Sequence, residues 1–286
     1  MTPNLRGSLY MTASMAGFAV EDAFLKAASQ TIPVGEAILI MGLIGIAVFS
    51  GLALRAGHAP IPAAMFTRTM ALRSGFEITG RLFYALAIAL TPISVASAIL
   101  QATPLVVVLG AALFFGETVG LKRWLLILLG FLGVMIILRP GLSGFSALSL
   151  LALVAMLGFA GRDLATRAAP PALSNAQLGV TGFIMLALSG VIITAVTGKA
   201  AMPGPNAMAL IAGAAAFGIS AYAALTTAMR AGEIAVVTPF RYTRLLFAMI
   251  LGVTVFGERP DAATLTGAAI IVACGVIILG QSRRIT

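Results

Sequence analysis

The feature that most constrains this chain is that it aligns with itself. Met15-Ala16-Gly17-Phe18-Ala19-Val20-Glu21-Asp22 matches Met156-Leu157-Gly158-Phe159-Ala160-Gly161-Arg162-Asp163 at an offset of 141 residues. The same offset places Gly57 on Gly198 and Phe115-Gly116-Glu117 on Phe256-Gly257-Glu258. Between them it slips to 138, where Met70-Ala71-Leu72 meets Met208-Ala209-Leu210, Gly80 meets Gly218 and Tyr84-Ala85 meets Tyr222-Ala223. Short matches among Ala, Gly and Leu arise by chance, but a nearly constant offset along the whole chain marks a duplication. The units are expected over 1–140 and 146–286.

What is duplicated follows from hydropathy. With 60% of its 286 residues hydrophobic and 9% charged, and a mean hydropathy of +1.08, the chain cannot cover a water-facing surface, for which about 25% charged residues are usual. Apolar runs near the roughly 20 residues needed to cross a bilayer fall at 6–28, 33–54, 68–91, 94–115, 121–139, 146–168, 174–197, 205–229, 233–256 and 262–281. Turn residues such as Ile32-Pro33, Thr91-Pro92, Arg139-Pro140-Gly141 and Pro203-Gly204-Pro205 separate them. The predicted fold is therefore an all-α membrane protein with ten transmembrane helices.

Each unit holds five spans, and five is odd, so the second unit enters the membrane from the opposite side. Inverted repeats of this kind characterise secondary transporters, with the substrate site near the midplane between the halves. With the N-terminus inside, Arg6, Arg55, Arg68, Lys122, Arg123, Arg167, Arg230, Arg283 and Arg284 lie on the cytoplasmic side, against Lys26, Arg139, Lys199 and Arg259 opposite. The bias predicts both termini in the cytoplasm. It also accounts for the formal charge of +9 without nucleic acid, since no basic cluster is present. A signal peptide at the N-terminus is not expected, because its repeat counterpart lies mid-chain.

The remaining charges fall inside spans, where each costs about 2.5–3.5 kcal/mol on insertion scales. Arg241 and Arg244, beside Tyr242, occupy one face of the ninth span near the membrane centre; they line a cavity or are satisfied by carboxylates and helix-end carbonyls. Glu77 and Arg81 are spaced to pair along the third span, as substrate contacts or as a structural ion pair. Their repeat mates are Ala215 and Ile219, and those of Arg241 and Arg244 are Leu100 and Thr103. Arg73, nearer the span end, is expected to snorkel to the interface. Glu21-Asp22 and Arg162-Asp163 lie toward opposite faces and suit gate contacts or solvated helix ends. Tyr84 and Tyr222 are repeat mates able to serve a ligand or to pack. Pro104 and Pro239 fall inside spans and remove the bonds to the carbonyls of Leu100 and Ala235. They are expected hinges or static kinks, with Ser97, Gln101, Thr103 and Thr238 available to re-satisfy the backbone or meet substrate.

The run Pro-Phe-Arg-Tyr-Thr-Arg-Leu-Leu-Phe-Ala at 239–248, followed by Gly-Val-Thr-Val-Phe-Gly-Glu-Arg-Pro at 252–260 and echoed by Phe114-Phe115-Gly116-Glu117, resembles the EamA-type branch of the drug/metabolite transporter superfamily over the full length. The resemblance implies a ten-helix carrier of the bacterial inner membrane, without a cofactor, close in kind to exporters of aromatic or broad-range amino acids. In-span arginines outnumber Glu77 and Asp163, and so favour a ligand carrying a carboxylate. The expectation is export of amino acids by alternating access through a midplane cavity in the lipid bilayer, with efflux of cationic drugs as the alternative. An intramembrane enzyme is disfavoured: Ser143 of Gly141-Leu142-Ser143-Gly144 would need a histidine partner, and the single histidine, His58, falls in a loop on the other side. The lone Cys274 lacks metal-ligand spacing. Substrate range, energy coupling and oligomeric state stay open.

Overall fold

A computed structural model describes residues 1–90, 99–138, 148–198, 201–256 and 262–282. The described residues form ten long helical segments, with a short 3-10 turn, Ala63–Phe66, between the second and third: α1 (Pro3–Ala28), α2 (Val34–Arg55), α3 (Arg68–Leu90), α4 (Thr103–Phe115), α5 (Leu121–Leu138), α6 (Ser149–Arg167), α7 (Asn175–Thr197), α8 (Pro205–Arg230), α9 and α10 (Ala262–Ser282). The ninth is broken into a turn of helix, Ile234–Val237, a 3-10 stretch, Thr238–Tyr242, and a longer helix, Thr243–Phe256. By length and composition alone, α2, α7, α8 and the stretch Ile234–Leu251 suffice to cross a membrane. The charges of α3 and α6 lower their apolarity; packing inside the bundle compensates for it. Leu43, Leu113, Leu125, Leu132, Val196 and Val276 point outward, the face a bilayer covers.

The helices pair across the halves. The principal contacts join α1 with α8, α3 with α6, α2 with α7 and α5 with α10. An inverted repeat requires this pattern: exchanging the halves turns the α1–α8 contact into α6–α3 and maps α2–α7 and α5–α10 onto themselves. All four pairs run antiparallel. Gly17 meets Ala221 while Phe24 reaches Gly213; Gly158 meets Gly80 while Gly161 meets Phe76; Gly45 lies under Phe183 while Phe49 covers Gly179. Without a hydrophobic force between helices in lipid, such close approach through small residues is what holds a bundle.

Gly158 offers a direct test of that packing. A Cβ there would lie 2.6 Å from the Gly80 amide nitrogen and 3.0 Å from the Phe76 carbonyl oxygen, and backbone cannot turn aside as a side chain can. Gly158→Val is therefore expected to wedge α6 off α3 at a cost of about 1–3 kcal/mol or more. It would be read as a lowered unfolding temperature in detergent, while the same change at Gly75, where nothing lies within 4 Å of an added Cβ, should be tolerated.

The duplication reaches the loops. Gly57 and Gly198, aligned by the repeat, both adopt left-handed backbone, with φ of +75° and +63°, and close the turns after α2 and α7. Glycine takes this conformation without steric cost.

One face is closed by hydrogen bonds between the halves. Glu233 pairs with Arg123 at 2.6 Å and accepts from the Asn4 amide at 3.4 Å. Glu117 accepts from the backbone N–H groups of Ile234 and Ala235 at 3.1 and 3.3 Å, so the glutamate ending α4 caps the ninth segment. Gln177 also crosses, donating to the Ala59 carbonyl, while within the second half Arg230 donates to the Leu173 carbonyl and to Asn175 on the same face. These contacts gather the start of α1, the loop after α2, the end of α4 and the start of α5 on the side where α6 and α8 end and α7 and α9 begin.

The two broken segments are built alike. Residues 99 and 100 are helical, 101 and 102 turn, and α4 restarts at Thr103; the ninth segment restarts at Thr243. In each, a threonine hydroxyl donates to the carbonyl three residues back, Thr103 to Leu100 and Thr243 to Phe240. Pro104 thus opens the first turn of α4, and Pro239 opens the 3-10 stretch. Both produce interruptions of the helix, a larger departure than a bend.

Candidate functional site

A chain of ion pairs runs through the bundle interior. Glu77 on α3 is fully buried. Its Oε1 accepts from Arg81 Nε at 3.2 Å and from Arg162 Nη1 at 3.1 Å, and its Oε2 accepts from the Tyr222 hydroxyl at 2.7 Å. The i, i+4 pairing of Glu77 with Arg81 is thus present, but Arg162 of the other half shares the carboxylate. Arg162 Nε donates to Asp163 at 2.7 Å, and Asp163 in turn accepts from Arg241 on the ninth segment. The Arg162 guanidinium lies over the Phe159 ring at 5.4 Å and the Tyr222 ring at 5.8 Å, cation–π contacts that help keep it charged in an apolar bundle.

Arg73 belongs to this cluster, against the expectation that it snorkels. It is wholly buried; its Nε donates to the Thr166 hydroxyl at 2.9 Å and its Nη2 to the Tyr222 hydroxyl at 2.7 Å. The reason is packing: α3 lies against α6 and, less extensively, α7, so a residue one turn from its end still faces protein. Tyr222 accepts from Arg73 and donates to Glu77, and Gly182 on α7 leaves room for its hydroxyl, which a Cβ there would overlap. Sequence reasoning missed the part played here by Arg73, Thr166, Phe159 and Gly182; the partners of Arg73 lie 93 and 149 positions away.

A second, smaller cluster lies toward the opposite face. Asp22 on α1 pairs with Arg244, which also lies 5.4 Å from the centre of the Phe18 ring. Glu21 packs on Gly218, where a Cβ would stand 2.9 Å from its carboxylate, and it interacts electrostatically with Arg81 and Arg244. Tyr84 meets Phe159 edge-on at 6.0 Å and lies in the field of Asp22 and Arg244. Arg162 is five residues from the end of α6 on the bonded face, and Asp22 is six from the end of α1 on the other; at helical rise these are depths of about 8 and 9 Å. The clusters are therefore stacked along the membrane normal. They differ in access, since the side chains of Glu77 and Asp163 are 0% and 1% exposed, while those of Asp22 and Arg244 are 49% and 30% exposed.

The repeat gives the arrangement its logic. Asp22 and Asp163 are aligned by the 141-residue offset, and each holds one arginine of the ninth segment, Arg244 and Arg241 respectively. The first span of each half thus grips the broken segment with the same residue, from opposite depths.

The remaining expected residues are placed apart from these pairs. Tyr242 is buried against Gly130 of α5, with Val134 and Ile271 around it, and its hydroxyl donates to the Ile127 carbonyl at 3.4 Å. Thr238 is wholly buried, and its hydroxyl has no partner among the described residues. Gln101 lies half-buried in the turn before α4. Ser97 falls outside the described residues. No group of three or more His, Cys, Asp or Glu side chains able to hold a metal occurs among the described residues.

Known proteins share both the sequence and the fold. The model of the EamA-like transporter family matches twice, over residues 5–139 and 145–280. A riboflavin transporter of Rhizobium johnstonii is 28% identical, covering 85% of this chain and 78% of that protein. A pseudopaline exporter of Pseudomonas aeruginosa is 26% identical over 93% of each, and an S-adenosylmethionine uptake transporter of Rickettsia bellii is 24% identical over 70% of this chain and 68% of its own length. A solved crystal structure with 19% identity has the same fold, with a TM-score of 0.80 over 98% of both chains. The apolar helices, the two-fold repeat and these matches together assign the chain: it belongs to the EamA-like transporter family, whose members are multi-pass membrane transporters.

Proposed function

We propose that this transporter carries amino acids or compounds with an α-amino-carboxylate end, and that it does so by alternating access between the two clusters. The observation that carries the reading is the exposed Asp22–Arg244 pair above a buried, arginine-rich network. The pair presents an anion and a cation side by side, the charge pattern a zwitterion needs for recognition. A substrate carboxylate would take Arg244, with Arg241 one turn away, and its ammonium would take Asp22. Glu77, proposed from sequence for the ammonium, is already saturated by two arginines and a tyrosine and serves to hold the bundle in register. Four arginines (Arg73, Arg81, Arg162, Arg241) against Glu77 and Asp163 in the buried cluster disfavour a purely cationic drug.

In this reading the face closed by Glu233, Glu117 and Arg230 is the cytoplasmic one of the bacterial inner membrane, which agrees with the basic bias of its loops. Pro104 and Pro239 mark the interruptions about which α4 and the ninth segment move. The relatives' names cover uptake and export, so direction rests on resemblance to amino-acid exporters; S-adenosylmethionine bears the same α-amino-carboxylate end.

The test is counterflow of a radiolabelled amino-acid panel in liposomes, with and without a pH gradient. Saturable exchange of at least one amino acid is expected. Asp22→Asn and Arg244→Gln should each lower it about tenfold, the effect of one lost charge-assisted contact of about 1.4 kcal/mol. No exchange across the whole panel, with folded protein, would sink the proposal.

A further inference from the structure

On the hydrogen-bonded face a cleft of about 430 Å³ opens between the start of α1, the start of α7 and the end of α8, lined by Pro3, Arg6, Asn175, Thr227, Arg230 and Gly232 among others. Its charged side chains are both those of arginines. Neither makes a salt bridge among the described residues: Arg6 lies over the Tyr10 ring at 5.7 Å, and Arg230 gives Nη1 to the Leu173 carbonyl at 2.7 Å and to Asn175 Oδ1 at 2.9 Å. The neighbouring carboxylate, Glu233, is spent on Arg123 and Asn4. Asn175 is itself fixed, its amide donating to Thr227 at 2.8 Å, so the Arg230 guanidinium is held in place with Nε and Nη2 left over. The floor is equally rigid. Gly232, at φ +51°, passes so close to Asn4 and Pro3 that a Cβ would stand 3.1 Å from the Pro3 carbonyl oxygen.

The geometry points to a phosphate-binding site: the cleft takes a phosphate-bearing anion between Arg6 and Arg230, separate from the ion-pair network in the bundle. Two cations without counter-ions, one pre-oriented by a side chain and a carbonyl, match the bidentate geometry that guanidinium groups offer phosphate. A cleft between helix ends at the membrane surface is also where basic pockets meet lipid headgroups. The phosphate can come from an acidic phospholipid or from solution.

Native mass spectrometry of the purified full chain separates these sources. With phosphatidylglycerol as the source, the protein should retain one such lipid in preference to phosphatidylcholine, and Arg6→Gln should weaken retention about fivefold, as one basic contact near a membrane surface does. With a free anion as the source, the two lipids bind alike, while inorganic phosphate raises the unfolding temperature of wild type and not of Arg6→Gln. Arg6 holds only the Tyr10 ring, so its variant keeps the fold; Arg230→Lys, which keeps the charge but loses the fork, should fall between. Equal retention of both lipids together with no phosphate effect, or binding indifferent to both variants, overturns the site.

Discussion

Glu77→Gln is expected to cut transport by about a hundredfold or more and to destabilise the fold by about 3–5 kcal/mol, the range found when one partner of a buried ion pair is removed. The carboxylate is fully buried and satisfies Arg81, Arg162 and Tyr222 at once, with Arg73 bound to the same tyrosine hydroxyl. Glutamine keeps the shape and one acceptor oxygen. It turns an N–H₂ toward a guanidinium or a hydroxyl, and it leaves Arg162 with Asp163 as its remaining buried carboxylate partner among the described residues. Arg81→Gln should cost less, because its side chain is 18% exposed and its removal leaves Glu77 two partners. Thermal unfolding in detergent and counterflow in liposomes read both effects. A Glu77→Gln protein with the wild-type midpoint and flux would contradict the role given to this carboxylate.

The fold was legible because the bilayer enforces two simple rules. A spanning segment must be apolar for about 20 residues, which located the ends of α2, α7 and α8 to within one or two residues. An odd number of spans per repeat must invert, and the inversion dictates that α1 packs on α8 as α6 packs on α3. The site was legible only in part. Glu77 and Arg81 declare themselves by spacing, and Arg241 and Arg244 by their depth. Their partners do not: Asp163 reads equally as a helix-end acid, and Arg73 as a snorkelling cation, until α3 is known to lie against α6 and α7. Tyr84 and Tyr222 look equivalent in the repeat, yet Tyr222 bridges Arg73 and Glu77 while Tyr84 packs edge-on against Phe159. A repeat preserves backbone geometry more faithfully than it preserves the use of a side chain.

The breaks in α4 and the ninth segment make the same point. Pro104 and Pro239 are not aligned by the repeat, yet both helices restart at equivalent depth, at Thr103 and Thr243, with the same hydroxyl-to-carbonyl bond. The interruption is therefore a property of the shared architecture, and the prolines are two local ways of stabilising it. Arginines at 241 and 244 in the second half, against Leu100 and Thr103 in the first, then put charge on one of two similarly broken segments.

Asp163→Asn provides the sharpest division between structure and transport. Asp163 stands between Arg162 and Arg241 at 1% exposure. Its neutralisation leaves two guanidinium groups to repel across a low-dielectric interior, with only Glu77 still holding Arg162, so a loss of about 3–5 kcal/mol is expected. Removing the second cation as well, in Asp163→Asn with Arg241→Gln, takes away the repulsion. Most of the stability should then return, as a coupling of up to about 3 kcal/mol between residues in contact. Flux separates the two roles of Arg241. If it only neutralises Asp163, the stable double variant transports like wild type. If it shares the substrate carboxylate with Arg244, the double variant unfolds near the wild-type temperature while amino-acid counterflow stays about tenfold or more below it. The second result is expected, because Asp163 already has Arg162 as a counter-ion, and a further buried arginine is an expensive way to neutralise a charge that is already paired.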